Sequence, residues 1–438
     1  MMSTTRRTPD AEEIAVIGGG AAGMMAAITA SEAGAAVVLI EKNDRLGKKL
    51  RITGKGRCNL TNDCDRETFL ANIPTNPRFL YGALAGFSNA DTIRFFEELG
   101  VPLKTERGNR VFPVSDRAGD IVAAMEKKCR QNGVVLRHAT AREIEMTDGR
   151  VTGVRISDGT VISAKAVIVA TGGVSYPLTG STGDGYRFAR AAGLTVTEIL
   201  PSLVPLTSHG PLCASMQGLS LRNVGVKIVR RENGKTVYED FGELMFTHFG
   251  VTGPTVLSAS AHLSDIRQGV YEMRIDLKPA LGEKKLDERV LSDFGKYRNR
   301  DFANALGDLL PQKMIPAFVR MCGVAGDKKV NAVTRAERER VVETLKCFRV
   351  PLDGFRPIEE AIVTRGGVST KELSPKTMEA GAVRGLYFAG EVIDVDAYTG
   401  GFNLQIAFST GYAAGKSAAK QIRDEEEQIS DETDSDCD

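Results

Sequence analysis

The stretch Gly18-Gly19-Gly20-Ala21-Ala22-Gly23 carries the most specific chemistry near the start of the chain. A Gly-x-Gly-x-x-Gly turn lays backbone N–H groups against an anion at the start of a helix. Gly18 permits the tight turn, Gly20 lets the backbone approach a pyrophosphate and Gly23 lets the helix pack closely on its strand. Ala21 and Ala22, inside the same turn, are counted with the cofactor-binding residues. Glu41 lies 18 residues beyond Gly23. A carboxylate there accepts hydrogen bonds from a ribose 2′-hydroxyl and repels a 2′-phosphate. These residues point to a dinucleotide without a 2′-phosphate, with Lys42 and Lys48 as nearby positive charge.

Thr53, Gly54, Arg57, Cys58, Asn59, Thr61 and Asn62 form a second loop of glycine and small polar residues. Its N–H and amide donors suit phosphates and a ring edge, and Arg57 is available to pair with the pyrophosphate. Cys58 invites a redox role, but its nearest cysteine, Cys64, is six residues away, which is not dithiol spacing. Cys58 therefore reads as lining the site, with reactivity requiring an electropositive, accessible setting. Tyr398, Tyr176 and His248 are candidate proton donors, although His248 reads more readily as a hydrogen-bonded structural histidine.

The elements that must position these residues are legible around them. Ile14-Ala15-Val16-Ile17 is a short apolar strand, residues 24–33 a helix ended by Gly34, and residues 36–40 a second strand leading into Glu41. Residues 134–138 read as a strand, and Asp148-Gly149 and Asp158-Gly159 are hairpin turns flanking residues 151–156. Ala166-Val167-Ile168-Val169-Ala170 returns as a buried strand ending in Thr171-Gly172-Gly173. Far downstream, Gly385-Leu386-Tyr387-Phe388-Ala389-Gly390 is another, followed by Glu391 and Asp394. Tyr398 to Asn403 then opens a helix with Leu404, Ala407, Phe408, Gly411 and Ala414 on one face.

The Ala170-Thr171-Gly172-Gly173 stop resembles the second flavin fingerprint of the glutathione-reductase-like FAD fold. That resemblance implies an α/β, two-layer FAD-binding domain with a parallel sheet and a β-meander, holding FAD non-covalently. It implies that Ala141 meets the adenine through its backbone and that Glu391 or Asp394 holds the ribityl chain or pyrophosphate. It places Gly401, Phe402, Asn403 and Leu404 at the flavin's pyrimidine edge, where a helix N-terminus favours an anionic reduced ring.

Residues 195–384 are too long for a loop and must fold as an insertion. Val224, Val226 and Ile228 alternate with polar residues before Asn233-Gly234, and Tyr271, Met273, Ile275 and Leu277 alternate later, as in a small β-barrel. Residues 282–347 turn helical, with Leu306, Leu309 and Leu310 on one face, and residues 357–364 look extended and positioned to close the barrel. The expected domains are an FAD-binding domain of residues 1–194 and 366–423, a β-barrel-like insert of 195–281 and 348–365, an α-helical insert of 282–347, and a disordered acidic tail of 424–438.

Four stretches resemble the bacterial NAD(P)/FAD-dependent oxidoreductases with a β-barrel and helical insert. They are residues 53–62, residues 180–186, residues 242–250, and Gly390-Glu391-Val392-Ile393-Asp394 with Gly400-Gly401-Phe402-Asn403. One branch of that family is associated with reducing unsaturated 3-oxo bile-acid intermediates, and members are also labelled aminoacetone oxidase-like flavoproteins. The resemblance implies an FAD-dependent oxidoreductase that reduces a conjugated carbonyl compound, steroid-like or similar, with NAD(P)H as transient donor. A second complete Gly-x-Gly-x-x-Gly unit is absent, so nicotinamide would visit the flavin without a Rossmann domain of its own. An FAD-dependent oxidase of an amine or hydroxy acid is the alternative, and an FAD-containing RNA-modification or scaffold protein is another.

Composition narrows the rest. Seven cysteines are scattered without metal-ligand spacing, which argues for thiols in a reducing, cytoplasmic setting and against a bound metal. No run reaches the roughly 18 to 20 apolar residues of a membrane-spanning helix, and residues 1–10 lack an apolar signal core. The net charge of +1 hides an acidic end: with 57 Lys and Arg against 56 acids, nine of them beyond residue 423 where no base occurs, residues 1–423 carry +10. The bases are scattered rather than grouped, and a pyrophosphate also needs positive surroundings. The expected partner is a small-molecule substrate, without nucleic acid, and no signal specifies an oligomeric state.

Overall fold

A computed structural model describes residues 13–435. The chain divides into two units, residues 1–200 with 362–438, and residues 201–361. The boundaries thus fall a few residues from those expected at 194 and 365.

The first unit is built on a five-stranded parallel sheet. Its order is Leu386–Phe388, Ala166–Val169, Ile14–Ile17, Val37–Glu41 and Val135–His138. Ile14 pairs in parallel with Val37 on one side and Ala166 on the other. Both neighbours of the first strand are parallel, so its two faces are covered and it is apolar throughout. A separate antiparallel meander of Ala141–Thr147, Arg150–Ile156 and Val161–Ser163 supplies the second layer. The fold is the expected α/β, glutathione-reductase-like FAD-binding class.

Helix Ala21–Glu32 follows the first strand, and helix Phe402–Ser435 lies against it. Their approach is set by glycine: a Cβ on Gly411 would sit 2.4 Å from the Ala22 carbonyl oxygen, and one on Gly415 2.3 Å from that of Ala26. The acidic end does not begin as the disordered tail expected from residue 424, because the helix continues to Ser435. Its acids find partners: Glu425 pairs with Arg150 and Arg384, and Glu426 with Lys165. Residues 436–438, with Cys437, lie outside the described residues.

The second unit contains a seven-stranded sheet. Its order is Phe348–Leu352, Tyr271–Asp276, Ser220–Arg230, Thr236–Phe246, Gly250–Thr252, Leu206–Thr207 and Gly354–Phe355. The strands at the two ends of that order are separated in sequence by Asp353 alone, so the sheet must curl round on itself. Closure therefore comes at residues 348–355, not at 357–364. Pro357 there fixes the backbone ahead of the 3-10 turn Ile358–Glu360.

Helices Glu283–Lys296, Ile315–Cys322 and Arg335–Lys346 all lie between the neighbouring strands Tyr271–Asp276 and Phe348–Leu352. They are not a separate domain. Leu286, Val290, Phe318 and Leu345 share one core with Met273, Ile275, Phe348 and Val350. Among the described residues no helix is long and apolar enough to cross a membrane.

Candidate dinucleotide site

The glycine turn has the geometry its spacing predicts. Gly18 has φ +105°, and a Cβ there would sit 2.5 Å from the Ala170 carbonyl oxygen. A Cβ on Gly23 would sit 1.8 Å from that of Gly18, so neither position accepts a side chain. Gly20 is the opposite case, with nothing within 4 Å of its Cβ position. It begins helix Ala21–Glu32, whose first turn has neither a side-chain cap nor an acid. Uncapped N–H groups, the positive end of the helix dipole and open space above Gly20 together form an anion cradle.

Glu41 ends the second strand and is only 7% exposed. Its Oε2 accepts from Gly19 N at 2.7 Å, and its Oε1 accepts from Asn43 N and Asn43 Nδ2, each at 2.7 Å. The acid is thus fixed against the glycine turn. Lys42 reaches the loop of residues 179–184, donating to Asp184 Oδ2 at 2.6 Å and Thr182 Oγ1 at 2.5 Å. Lys48 lies 3.3 Å from Asn43 Oδ1. Ala141 is buried at the start of the meander, just after Ala139 N donates to the Glu41 carbonyl.

The loop of residues 53–62 is bent by a run of left-handed residues: Gly54, Lys55, Gly56 and Cys58 all have positive φ. Arg57 is not free for a pyrophosphate. Its guanidinium donates to Asp116 and Glu106 and lies 4.2 Å from the centre of the Phe112 ring. Those two carboxylates raise its already high pKa further. Cys58 is fully buried, and burial pushes its thiol up to about 12. A thiol held in that form is a poor nucleophile, which favours a site-lining part for Cys58 over a redox one. Thr53 turns its hydroxyl back to the Leu50 carbonyl, while Asn59 Oδ1 is buried without a partner among the described residues.

This loop meets the far end of the chain. Thr61 Oγ1 donates to Gln405 Oε1 at 2.6 Å, and Asn62 Nδ2 donates to the Gly400 carbonyl at 3.0 Å. Gly401 has φ +99°, and a Cβ there would lie 2.3 Å from the Thr61 carbonyl oxygen. Phe402 begins the long helix and packs edge-on against Phe69. Asn403 staples its own turn, accepting from Ala397 N and donating to the Ala397 carbonyl, so its amide does not face outward. Leu404 packs on the core beside it.

Glu391 sits in a network the spacing alone does not reveal. Lys49 donates to Glu391 Oε2 and to Ser175 Oγ, both at 2.7 Å, and Thr364 N donates to Glu391 Oε1 at 2.9 Å. Gly173 is needed beneath them, because a Cβ there would fall 2.3 Å from Thr364 Oγ1. Gly172 and Gly390 have positive φ, and Thr171 Oγ1 is buried without a partner among the described residues. Ala170 is buried where the Gly18 turn crosses it. The carboxyl of Asp394 lies above its ordinary pKa because of burial, against opposing hydrogen bonds from Thr197 and Asn76.

Of the proton-donor candidates, Tyr398 lies half-buried on the Ala397–Gly401 turn, its N–H donating to the Asn72 carbonyl. Tyr176 is 37% exposed in a left-handed conformation. His248 belongs to the other unit, exposed at the turn where Thr247 N donates to the Gly250 carbonyl. Lys49, Asn43, Ser175, Thr364 and Gln405 were missed by sequence reasoning. Only Gln405 carried a signal, lying one helical turn beyond Gly401 on the same face.

The three glycine-rich pieces thus converge within one unit, with an uncapped helix start and a buried acid, as a pyrophosphate-bearing dinucleotide requires. The HI0933-like protein Rossmann domain family matches residues 12–417. The chain belongs to that family. It is an FAD-dependent oxidoreductase. It is 31% identical over 416 residues to a 3-dehydro-bile acid delta(4,6)-reductase of Clostridium scindens, covering 93% of this chain and 99% of that protein. It is 33% identical over 403 residues to a ribosomal RNA dihydrouridine synthase of Escherichia coli, covering 92% of this chain and 96% of that protein. A ribosomal RNA dihydrouridine synthase of Haemophilus influenzae is 31% identical over 415 residues, covering 93% of this chain and 99% of its own.

Proposed function

We propose that this protein adds hydrogen across a carbon–carbon double bond conjugated to a carbonyl, using NAD(P)H as donor. The observation that carries the reading is the bond shared by its relatives' named reactions. A delta(4,6)-reductase of a 3-dehydro bile acid saturates C=C bonds conjugated to a 3-oxo group. Dihydrouridine is uridine whose uracil base is saturated at the C=C bond conjugated to its 4-carbonyl. In the reaction proposed here, hydride goes to the carbon β to the carbonyl and a proton to the α carbon.

FAD supplies hydride transfer chemistry when bound. The chain's own residues hold and orient. The N–H groups above Gly20 take the pyrophosphate, Glu41 the adenosine ribose, and the backbone near Ala141 the adenine. Glu391, held by Lys49, and Asp394 take the ribityl side, and the turn from Gly400 to Leu404 faces the pyrimidine edge. Arg57 and the Asn403 amide support these segments from within. This reading takes Tyr398, half-buried on the turn that holds Gly400 and Gly401, as the proton donor, since Tyr176 and His248 both sit on exposed turns.

Within this reaction class, a uracil base in RNA is the second reading, favoured by two relatives that bear that name. It reverses the expectation that no nucleic acid is bound. The test of the general reading is anaerobic. NADH or NADPH bleaches the yellow holoprotein, and an enone or a uridine-containing RNA restores the colour. An amine or hydroxy acid that bleaches the flavin when neither nicotinamide does would overturn it in favour of an oxidase. Tyr398→Phe should leave bleaching intact and slow reoxidation by about a hundredfold.

A further inference from the structure

The insert carries a basin that the dinucleotide site does not use. Arg230, Arg231 and Arg267 line an open cavity of about 470 Å³ with Glu232, Asp265, Gly269 and Val270. It forms where two turns meet. Strand Ser220–Arg230 ends with Arg230 directly opposite Tyr271, and Arg231 N donates to the Val270 carbonyl at 2.9 Å. Val270 N in turn donates to the Arg267 carbonyl at 3.1 Å, and Arg230 N to that of Lys235 at 2.9 Å. The backbone therefore fixes all three arginines and Lys235 about one patch.

Three guanidinium groups face two carboxylates, Glu232 and Asp265, which act on Arg230 through space, so the basin keeps an excess of positive charge. Arg230 lies 5.6 Å from the centre of the Tyr271 ring and 3.5 Å from its hydroxyl, which orients it without cancelling its charge. Arg231 is exposed, with no carboxylate at ion-pair distance among the described residues. Arg267 pairs with Asp265 at 3.4 Å, but with those side chains 73% and 59% exposed the pair is weak and easily exchanged. Glu232 is also exposed. Planar forked donors around an open cavity match phosphate oxygens. The open form suits a phosphodiester strand passing through better than an enclosed small ligand.

We propose that this basin grips the phosphate backbone of an RNA substrate, with Arg230, Arg231 and Arg267 as phosphate contacts. The proposal rests on the RNA reading given above. It assigns the contacts a positioning role that is independent of base sequence.

Binding of a fluorescein-labelled oligouridylate to the FAD-loaded protein, followed by anisotropy over a salt series, tests it. The triple variant R230Q/R231Q/R267Q should bind at least tenfold more weakly at low salt. Its log–log salt slope should be shallower by about 2, at about 0.7 per single-strand phosphate contact. D265N should shift affinity the other way by removing a competing carboxylate, which a folding defect would not do. Bleaching by nicotinamide should be unchanged in every variant.

If the wild type binds the oligomer with a steep salt slope and the triple variant matches it, the basin proposal falls and the RNA reading stands. If the wild type shows no salt-dependent binding, both fall. The conjugated-carbonyl reading is judged separately, by reoxidation of the reduced protein with a free enone.

Discussion

The candidate sites in the two units of the chain are specified by different kinds of residue. In the first, the decisive positions are glycines where backbone meets backbone: Gly18 against Ala170, Gly23 against Gly18, Gly401 against Thr61 and Gly411 against Ala22. In the second, the core is filled by large side chains such as Phe246, Phe302, Phe318 and Phe348, as the first is by Phe96, Phe388 and Phe408; Gly250 makes a comparably close approach, to Leu206, and the candidate binding groups are arginines. A cofactor that must lie against the backbone imposes constraints that glycine alone satisfies. A polymer gripped by its phosphates imposes charge, which many surface patterns supply.

The comparison breaks first at Gly23. Gly23→Val drives a side chain into the Gly18 carbonyl, so the protein should lose FAD on gel filtration and more than about 3 kcal/mol of stability. A variant that keeps its flavin would remove the close approach as an explanation. In the insert, Phe318→Ala should cost about 3 to 5 kcal/mol by opening a cavity in a fully buried site. Denaturation followed by tryptic digestion should then show residues 201–361 cut early, while the visible flavin spectrum at low temperature is unchanged. If the flavin is lost in step with the insert, the two units are not separately specified.

Lys49→Met sharpens the first unit further. Glu391 would keep Thr364 N and lose the one cation paired with it among the described residues, so FAD affinity should fall on the order of tenfold with little change in the folded apoprotein. Asp394 gives a smaller effect with a definite sign. Burial raises its pKa above the unfolded value, so between those two values the folded state binds more protons than the unfolded chain. Stability contributed by this group falls as pH rises through that window and stays low above it. Asp394→Asn should therefore raise the melting temperature of the apoprotein at neutral pH and leave it unchanged in acid. Equal gains at both would show that burial of the charge is not the cause.

Much of the first unit was legible because its constraints are local. Gly18 to Gly23 and Glu41 lie on one strand–turn–helix and strand, where period and spacing speak for themselves. Glycine stops at Gly173 and Gly390 marked the other strand ends. What failed were side chains whose partners lie far away in sequence. Arg57 reads as a phosphate ligand until Glu106 and Asp116 are brought beside it, 49 and 59 residues on. Lys49 is indistinguishable from Lys48 until the fold turns it toward Glu391, 342 residues away. The acidic end reads as a solvated tail because nothing local announces Arg150, Arg384 and Lys165. In the insert, alternation revealed the strands, but sheet closure rests on Asp353 joining the two edge strands, which has no periodic signature.

The central claim is that this family member reduces a C=C bond conjugated to a carbonyl. Turnover with nicotinamide deuterated at the transferable position, followed by mass spectrometry and NMR of the product, tests it most directly. The account predicts one deuterium on the carbon β to the carbonyl of an enone or uracil substrate, with the α hydrogen taken from solvent. Deuterium recovered only in water or peroxide, with the double bond intact, would contradict it.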